Sequence, residues 1–295
     1  MKIRSPYRYP HRWLKGNFHA HTTRSDGAST VEETIAMYRD DGYDFLSITD
    51  HYRLVDPGAK SSGRMLLLPG QECHVSEEAL RNGAFSYHIV GLGVRTEVPR
   101  LDTGQEIIDA IKKSGGLAFV AHPRWSMMPY ELFDCLTGCD GFEVHNGNCE
   151  KECGRGFSVE FWDRYMVAHG RALWGVGADD LHLPSRDFAT SWTYVNAAGN
   201  PRAIYAALRR GDAYATCGPR IETIRAHDGR ISVRSSAAAA IKFVSTEGRI
   251  LECVEGEHVK AASYAPTGGE LYVRVEVQAH DGRVAWSNPF FIEPD

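Results

Sequence analysis

The stretch GNFHAHTTRSDGASTVEETIAMYRDDGYDFLSITDH, Gly16 to His51, holds one complete unit of a repeating pattern. Its first run, Gly16 to His21, predicts a strand, and its last, Phe45 to Thr49, predicts a second. Between them Ser29-Thr30 signals the start of a helix over Val31 to Asp41. Glu32 and Glu33 fall in its first turn, where the helix dipole favours negative charge. Strand, helix and strand in this order make a βαβ unit with parallel strands.

The pattern continues downstream. Further strands are expected at Met65 to Cys73, Tyr87 to Val94, Leu117 to Ala121, Gly141 to His145, Ala172 to Ala178 and Thr190 to Asn196. Asp102-Thr103 precedes a helix over Gly104 to Ser114, with Ile107, Ile108 and Ile111 on one apolar face and Gly115-Gly116 as its stop. Ser158 to His169 and Pro201 to Arg210 follow the same plan, the latter with proline at its start and Gly211 at its end. The alternation predicts an α/β barrel or an open doubly wound sheet.

After about Gly218 the helical periodicity disappears. Short strands are expected at Ile231 to Arg234, Ile241 to Ser245, Glu270 to Ala279 and Arg283 to Ala285, punctuated by Asp228-Gly229, Gly268-Gly269 and Asp281-Gly282. Leu271, Val273, Val275 and Val277 alternate with polar residues, as in a strand with one wet face. The expected organisation is a barrel domain over residues 1–217 and a small all-β, sandwich-like domain over 218–295. The second has no His/Asp/Glu cluster, so its expected role is to buttress the barrel.

Composition sets limits. The 295 residues are 43% hydrophobic and 24% charged, as in an ordinary globular protein. A net charge of −5 argues against a general nucleic-acid coat or an anionic-membrane binder. It leaves room for a small anionic substrate, because bound cations can dominate the local field. No apolar run approaches the length of a membrane span, about 18 residues. The basic N-terminus lacks the apolar core of a secretory signal, so the expected compartment is the cytoplasm. Among seven cysteines, Cys135/Cys139 and Cys149/Cys153 share a spacing that could hold a zinc, but the tight C-x-x-C knuckle is absent and ordinary reduced thiols are expected.

Chemistry gathers at the strand ends. His19 and His21 form an i, i+2 pair whose imidazoles point to one side, so both can grip one ion. Asp26 follows in a turn, Asp50-His51 ends the second strand, and Glu72 ends the third. His122 lies in VAHPRW, and Asp180 and His182 in VGADDLH. His88 is the exception, placed near the beginning of its strand. An α/β barrel collects its active site at the strand ends. So many imidazoles and carboxylates together would be electrostatically costly without metal. A set without thiolate suits zinc, iron(II) or manganese(II).

These motifs, His19-Ala20-His21 with Ser25-Asp26-Gly27, then Thr49-Asp50-His51, Gly70-Gln71-Glu72, Ala121-His122-Pro123 and Asp180-Leu181-His182, resemble in their order the PHP (polymerase and histidinol phosphatase) family. The likeness runs from about residue 16 to about 196. Gly16-Asn17-Phe18-His19, Asp179-Asp180 and Cys217-Gly218-Pro219-Arg220 further resemble its CehA/McbA-type metallohydrolase branch. The resemblance implies a distorted (β/α)₇, TIM-like barrel with two or three divalent ions. It implies that His19 and His21 hold one ion with Glu72 as a bridging carboxylate and Asp180. Asp26 and His182 would hold a second, and His51, His88 and His122 the second and third. The family's last motif usually reads Ser-Asp-x-His; here Asp179 stands before Asp180 and is expected to orient the ligands. Glu143, His145 and Asn146 are either further ligands or, as expected, polar residues orienting them.

The function expected is a metal-dependent phosphoesterase that cleaves a small phosphomonoester or phosphodiester with metal-activated water, Asp180 and His182 serving the chemistry directly. Carbamate, amide or carboxylic ester hydrolysis is the alternative, and a nuclease the third reading. Arg124 is the first candidate for a guanidinium clamp on phosphoryl oxygens, ahead of Arg24, Lys60, Arg64 and Arg186. The loop Asp56 to Arg64 reads as a flexible cover. Only Tyr7, Arg8, Tyr9, His11, Arg12 and Trp13 form a dense basic–aromatic patch, too short for a nucleic-acid track. Trp125 is expected in the core with the other tryptophans.

Overall fold

The computed structural model describes residues 2–56, 65–170 and 173–293. Lys60, Arg64 and the loop expected to cover the site after Asp56 lie outside the described residues, as does Ala172. After an N-terminal strand β1 (Lys2–Arg4), seven strands lie side by side in sequence order: β2 (Trp13–Asn17), β3 (Phe45–Ile48), β4 (Leu66–His74), β5 (His88–Leu92), β6 (Leu117–Val120), β7 (Gly141–Asn146) and β8 (Trp174–Ala178). β3 and β6 are buried at every position, so both faces of the sheet are covered.

The ends of this run meet. Ala20, past β2, and Leu181, past β8, form a parallel bridge, with His21 N donating to Leu181 O at 2.8 Å and Asp180 N to His19 O at 3.0 Å. β2 and β8 share no ladder among the described residues. The result is a distorted seven-stranded barrel. Its distortion has a specific source: β5 is antiparallel to both β4 and β6, whereas the β2–β3, β3–β4, β6–β7 and β7–β8 pairs are parallel.

Local sequence sets the outer helices. Thr30 accepts a hydrogen bond from Glu33 N while Glu33 accepts one from Thr30 N, a capping box that starts the helix Val31–Asp40. Thr103 caps Gly104–Lys113, and Ile107, Ile108 and Ile111 turn inward together. Asn200 caps Pro201–Arg210, which Gly211 ends at φ +78°; a Cβ there would sit 2.2 Å from the Trp174 ring.

Two more strands, β9 (Trp192–Asn196) and β10 (Ala213–Thr216), lead from β2 into the C-terminal all-β region: β11 (Ile221–His227), β12 (Arg230–Val244), β13 (Ile250–Tyr264), β14 (Tyr272–Gln278), β15 (Val284–Ser287) and β16 (Phe290–Glu293). β1 pairs with β16, so the first strand of the chain is hydrogen-bonded to the last. The two strands expected around residues 231–245 are one. Register shifts between Arg234 and Ala238 and again between Ala238 and Ala240 bend β12, so that it pairs with β13 throughout and with β14 in its second half.

The expected wet face of β14 is buried over its first half and half-buried at Glu276 and Gln278. Val273, Val275 and Val277 are buried, and so are Tyr272 and Arg274 on the other side. The helix Val159–His169 covers that face: Asp163 receives Arg274 Nε at 2.9 Å, Arg274 Nη2 at 2.7 Å and the Tyr272 hydroxyl at 2.7 Å. Alternation alone cannot distinguish solvent from a buried ion pair. The basic–aromatic N-terminal patch is likewise mostly structural. Tyr7 is buried with its hydroxyl 3.1 Å from Ala213 O, His11 stacks on Trp13, and Trp13 Nε1 donates to Glu222 O; Tyr9 is exposed.

Candidate metal centre

Because β5 runs against its neighbours, its first residue comes to the barrel end where β4 and β6 finish. His88 pairs with His74 in the β4–β5 ladder and faces Glu72 from the next strand. Its place at the start of a strand is thus a matter of strand direction.

Glu72 is the hub. It is fully buried, and its Oε2 lies 3.0 Å from His51 Nδ1, 3.2 Å from His21 Nε2 and 3.3 Å from His19 Nε2. Its Oε1 lies 2.9 Å from His88 Nδ1 and 3.3 Å from His122 Nε2. Asp180 Oδ1 stands 3.1 Å from Nε2 of both His19 and His21. Asp26 reaches in from its turn, 3.4 Å from His21 Nδ1 and 3.5 Å from Nε2 of His51 and of His182. Four overlapping groups of donors result: His21, Asp26, His51 and His182; His19, His21 and Glu72; His19, His122 and Asp180; His51, Glu72 and His88. His19, His21, Asp26, His51, Glu72, His88, His122, Asp180 and His182 all take part.

The donor set fits divalent cations. Glu72 Oε2 and Asp180 Oδ1 are buried carboxylate oxygens without a hydrogen-bond partner among the described residues, a costly state that a cation among the facing imidazoles would relieve. Imidazole and carboxylate suit zinc, manganese or iron, and overlapping groups suit more than one ion.

Electrostatics follow from the same geometry. Burial works against an imidazolium at His19, yet Asp180, Glu143 and Glu72 raise its pKa well above the ordinary value. Burial likewise opposes charge on His51, but Glu72 and Asp26 carry its pKa up to about 10. At His182 burial is again outweighed, by Asp26 and Asp180, and the pKa reaches about 9. Glu72, for which burial alone would raise the pKa, is held well below the carboxylate range by His51, His19 and His88. At His88 burial prevails and the pKa falls.

A ring of partners aims the ligands. Glu143 Oε1 accepts from His19 Nδ1 at 2.6 Å, while its Oε2 accepts from His122 N and Asn146 Nδ2, both at 2.9 Å. Asn146 also reaches Asp180 Oδ2 at 3.2 Å. Asp50 receives Thr22 N, the Thr22 hydroxyl and the Ser25 hydroxyl at 2.7, 2.6 and 2.6 Å, which fixes the turn that presents Asp26. His182 Nδ1 donates to Asp180 O at 2.9 Å, leaving Nε2 toward Asp26. Backbone strain adds to the aim: His122 and Asp180 have φ of +26° and +53°. The left-handed turn at Asp180 sends consecutive aspartates apart. Asp179 points away from the ions' place, taking Ala189 N, Thr190 N, Ser191 N and the Tyr38 hydroxyl, and burial lifts its pKa to about 6.

Several expected positions lie elsewhere. Arg124 turns outward, its Nη1 3.5 Å from Phe157 O and 3.8 Å from Glu160, and it does not line the cleft above the cluster. The tight turn after His122 carries Trp125 in and sends Arg124 out. His145 also leaves the cluster, stacking on Trp286, and burial drops its pKa to about 3. No group of possible metal donors among the described residues includes a cysteine; Cys135 and Cys153 are exposed, Cys139 and Cys149 buried.

The cleft itself encloses about 430 Å³. Besides the ligands, Trp125, Asn148, Cys149, Glu152, Leu183 and Arg186 line it. Arg186 is tied to Asp187 and Asn148 through Nε and Nη2, and its Nη1 makes no hydrogen bond to a described residue. Sequence reading missed His74, which stacks on His88 with ring centroids 4.9 Å apart, and placed Trp125 in the core. A histidine ending β4 two residues past Glu72 was the available signal for the first.

Neither a protein-family model nor a curated protein sequence matches the chain. Among solved structures, it is similar to a two-domain protein of Bacteroides vulgatus described as containing a predicted PHP-like metal-dependent phosphoesterase, at 17% identity, with 98% of each chain covered and a TM-score of 0.54. Weaker likenesses are to an amidohydrolase from Chromobacterium violaceum (19% identity, 58% of this chain and 89% of that one, TM-score 0.45) and to a protein of Bifidobacterium adolescentis named as a metal-dependent phosphoesterase (16%, 59% and 89%, 0.43). The fold of this chain is PHP-like, and the likeness takes in the C-terminal β region as well as the barrel.

Proposed function

We propose that the cleft is the active site of a metal-dependent hydrolase acting on a small phosphomonoester or phosphodiester. The observation that carries this reading is the convergence of six imidazoles, those of His19, His21, His51, His88, His122 and His182, on the three carboxylates Asp26, Glu72 and Asp180 at the floor of an open cleft. The phosphoesterase described for the Bacteroides vulgatus protein of the same fold is consistent with it. Two or three divalent ions held there, zinc, manganese or iron, would lower the pKa of water and neutralise phosphoryl oxygens.

The chain's own residues supply the rest. Glu143 fixes His19 with its proton on Nδ1, so that Nε2 presents a lone pair. His182 is set by the carbonyl of Asp180 in the same sense, with Nε2 toward the cleft. Glu72 spans two donor groups, as a bridging carboxylate must. Arg186 takes the clamping role assigned by sequence to Arg124: it lines the cleft, Asp187 and Asn148 hold the guanidinium still, and Nη1 would be available to a phosphoryl oxygen at the rim.

Hydrolysis of a chromogenic phosphodiester, its monoester and a carboxylic ester, with manganese(II) or zinc supplied, tests the proposal. The expected result is turnover of a phosphorus substrate that Asp180→Ala abolishes. Turnover confined to the carboxylic ester would refute it and move the assignment to a carbonyl hydrolase.

A further inference from the structure

The residues lining the cleft divide by origin. Ligands form the floor, whereas the remaining described wall comes from the segments after β6, β7 and β8: Trp125, then Asn148, Cys149 and Glu152, then Leu183 and Arg186. A substrate whose reacting group sits on the floor must rest its body against that wall.

Trp125 dominates the apolar part of it. A tight turn returns Trp125 N to His122 O at 2.9 Å, and the indole stands edge-to-face with both His122 (5.0 Å, 78°) and His88 (5.4 Å, 69°). It is half-buried and fixed from behind by two ligand residues, so its remaining surface is a preformed plane beside the reacting group. Leu183, 46% exposed, offers a second apolar surface in the same cleft. An aromatic ring stacked on another gains beyond what the buried area alone supplies.

We propose that Trp125 is a specificity-determining residue that makes the cleft select esters whose reacting phosphorus or carbon bears a planar, apolar group, aryl over short alkyl. The proposal rests on the phosphoesterase reading for the reacting group, and on Trp125 for the ring.

The test is calorimetric binding of phenylphosphonate and methylphosphonate, neither of which is hydrolysed, to the full chain loaded with manganese, with metal content measured for each variant. Wild type is expected to bind the phenyl compound about tenfold more tightly. Trp125→Phe keeps most of that preference, and Trp125→Ala reduces it to about twofold or less. Trp125→Leu, which preserves apolar bulk against His88 and His122, also loses it. Equal affinities in wild type, or full preference in a metal-retaining Trp125→Leu protein, would overturn the proposal. Benzoate and acetate separate the two readings. If neither phosphonate binds and this pair shows the same Trp125-dependent preference, the phosphorus reading falls and the specificity stands. If neither pair binds the metal-loaded protein, the specificity proposal falls.

Discussion

Replacing Glu143 by glutamine changes one atom in a buried site, and its consequence can be worked out from hydrogen-bond polarity. The carboxylate accepts three donors: His19 Nδ1 on one oxygen, His122 N and Asn146 Nδ2 on the other. An amide has only one oxygen. If that oxygen serves His122 and Asn146, the new NH₂ faces His19 Nδ1 at the former 2.6 Å contact and His19 must move its proton to Nε2. That nitrogen then has no lone pair for an ion. If the amide is reversed, two donors collide with its NH₂, at about 1–3 kcal/mol for each buried group left unsatisfied. Either way the variant should bind metal about 10- to 100-fold more weakly, the usual effect of losing a partner that orients a ligand. Competition for zinc with a chromophoric chelator measures this, with the metal-free melting curve as a control for folding. Affinity within about twofold of wild type would refute the tautomer argument, since it would sit well below the lower bound.

Arg186→Met should lower kcat/KM for a phosphorus substrate by about tenfold to a hundredfold, as loss of a charge-assisted bond does, whereas Arg124→Met should change it little; the reverse order in steady-state kinetics would return the clamp to Arg124. In the metal-free protein the raised pKa values of His51, about 10, and His182, about 9, stabilise the fold fully below the unfolded value near 6.5, and this contribution is lost as pH rises through 9 to 10. Thermal melting of the metal-free protein should therefore show this stabilisation fading from about pH 6.5 upward and gone by about pH 10. Ligands must also be neutral to bind metal, so metal uptake near pH 7 should release protons, detectable with an indicator in weak buffer; uptake without release would contradict those assignments. Arg274→Met strands the buried Asp163 carboxylate and should cost about 3–5 kcal/mol in urea unfolding.

Much of this candidate site was legible because the residues it gathers follow strands. Phe45 to Thr49 and Leu117 to Ala121 announce strands by their apolar runs, and Asp50-His51 and His122 stand where those runs stop. The isoleucines at 107, 108 and 111 mark a helix by spacing alone. Strand direction leaves no such mark, which is why His88 looked displaced until β5 was seen to run backwards. Aim is hidden for a similar reason. Arg124 and Trp125 are neighbours on a turn that opens at φ +26°, and that turn decides which faces the cleft. In β12 the run from Ser235 to Ala240 reads as a break, because bulges of small residues and loops share a composition. The covered side of β14 depends on Asp163, more than 100 residues away in sequence, as the separation of 111 shows.

The junction between the two ends of the barrel would give bound ions a second task. Among the described residues, β2 and β8 share no ladder and meet through a bridge, a few main-chain bonds past their ends and a bond from Asp179 N to Asn17 Oδ1. His19 and His21 stand on one side of that junction, Asp180 and His182 on the other. A cation gripping both sides would act as the clasp on a bracelet whose links are otherwise continuous. Removing it should let the band spring open there first, with faster amide hydrogen exchange at His21 and Asp180 than at the β3 amides. Metal supply would then govern not only the proposed hydrolysis but whether the barrel stays shut.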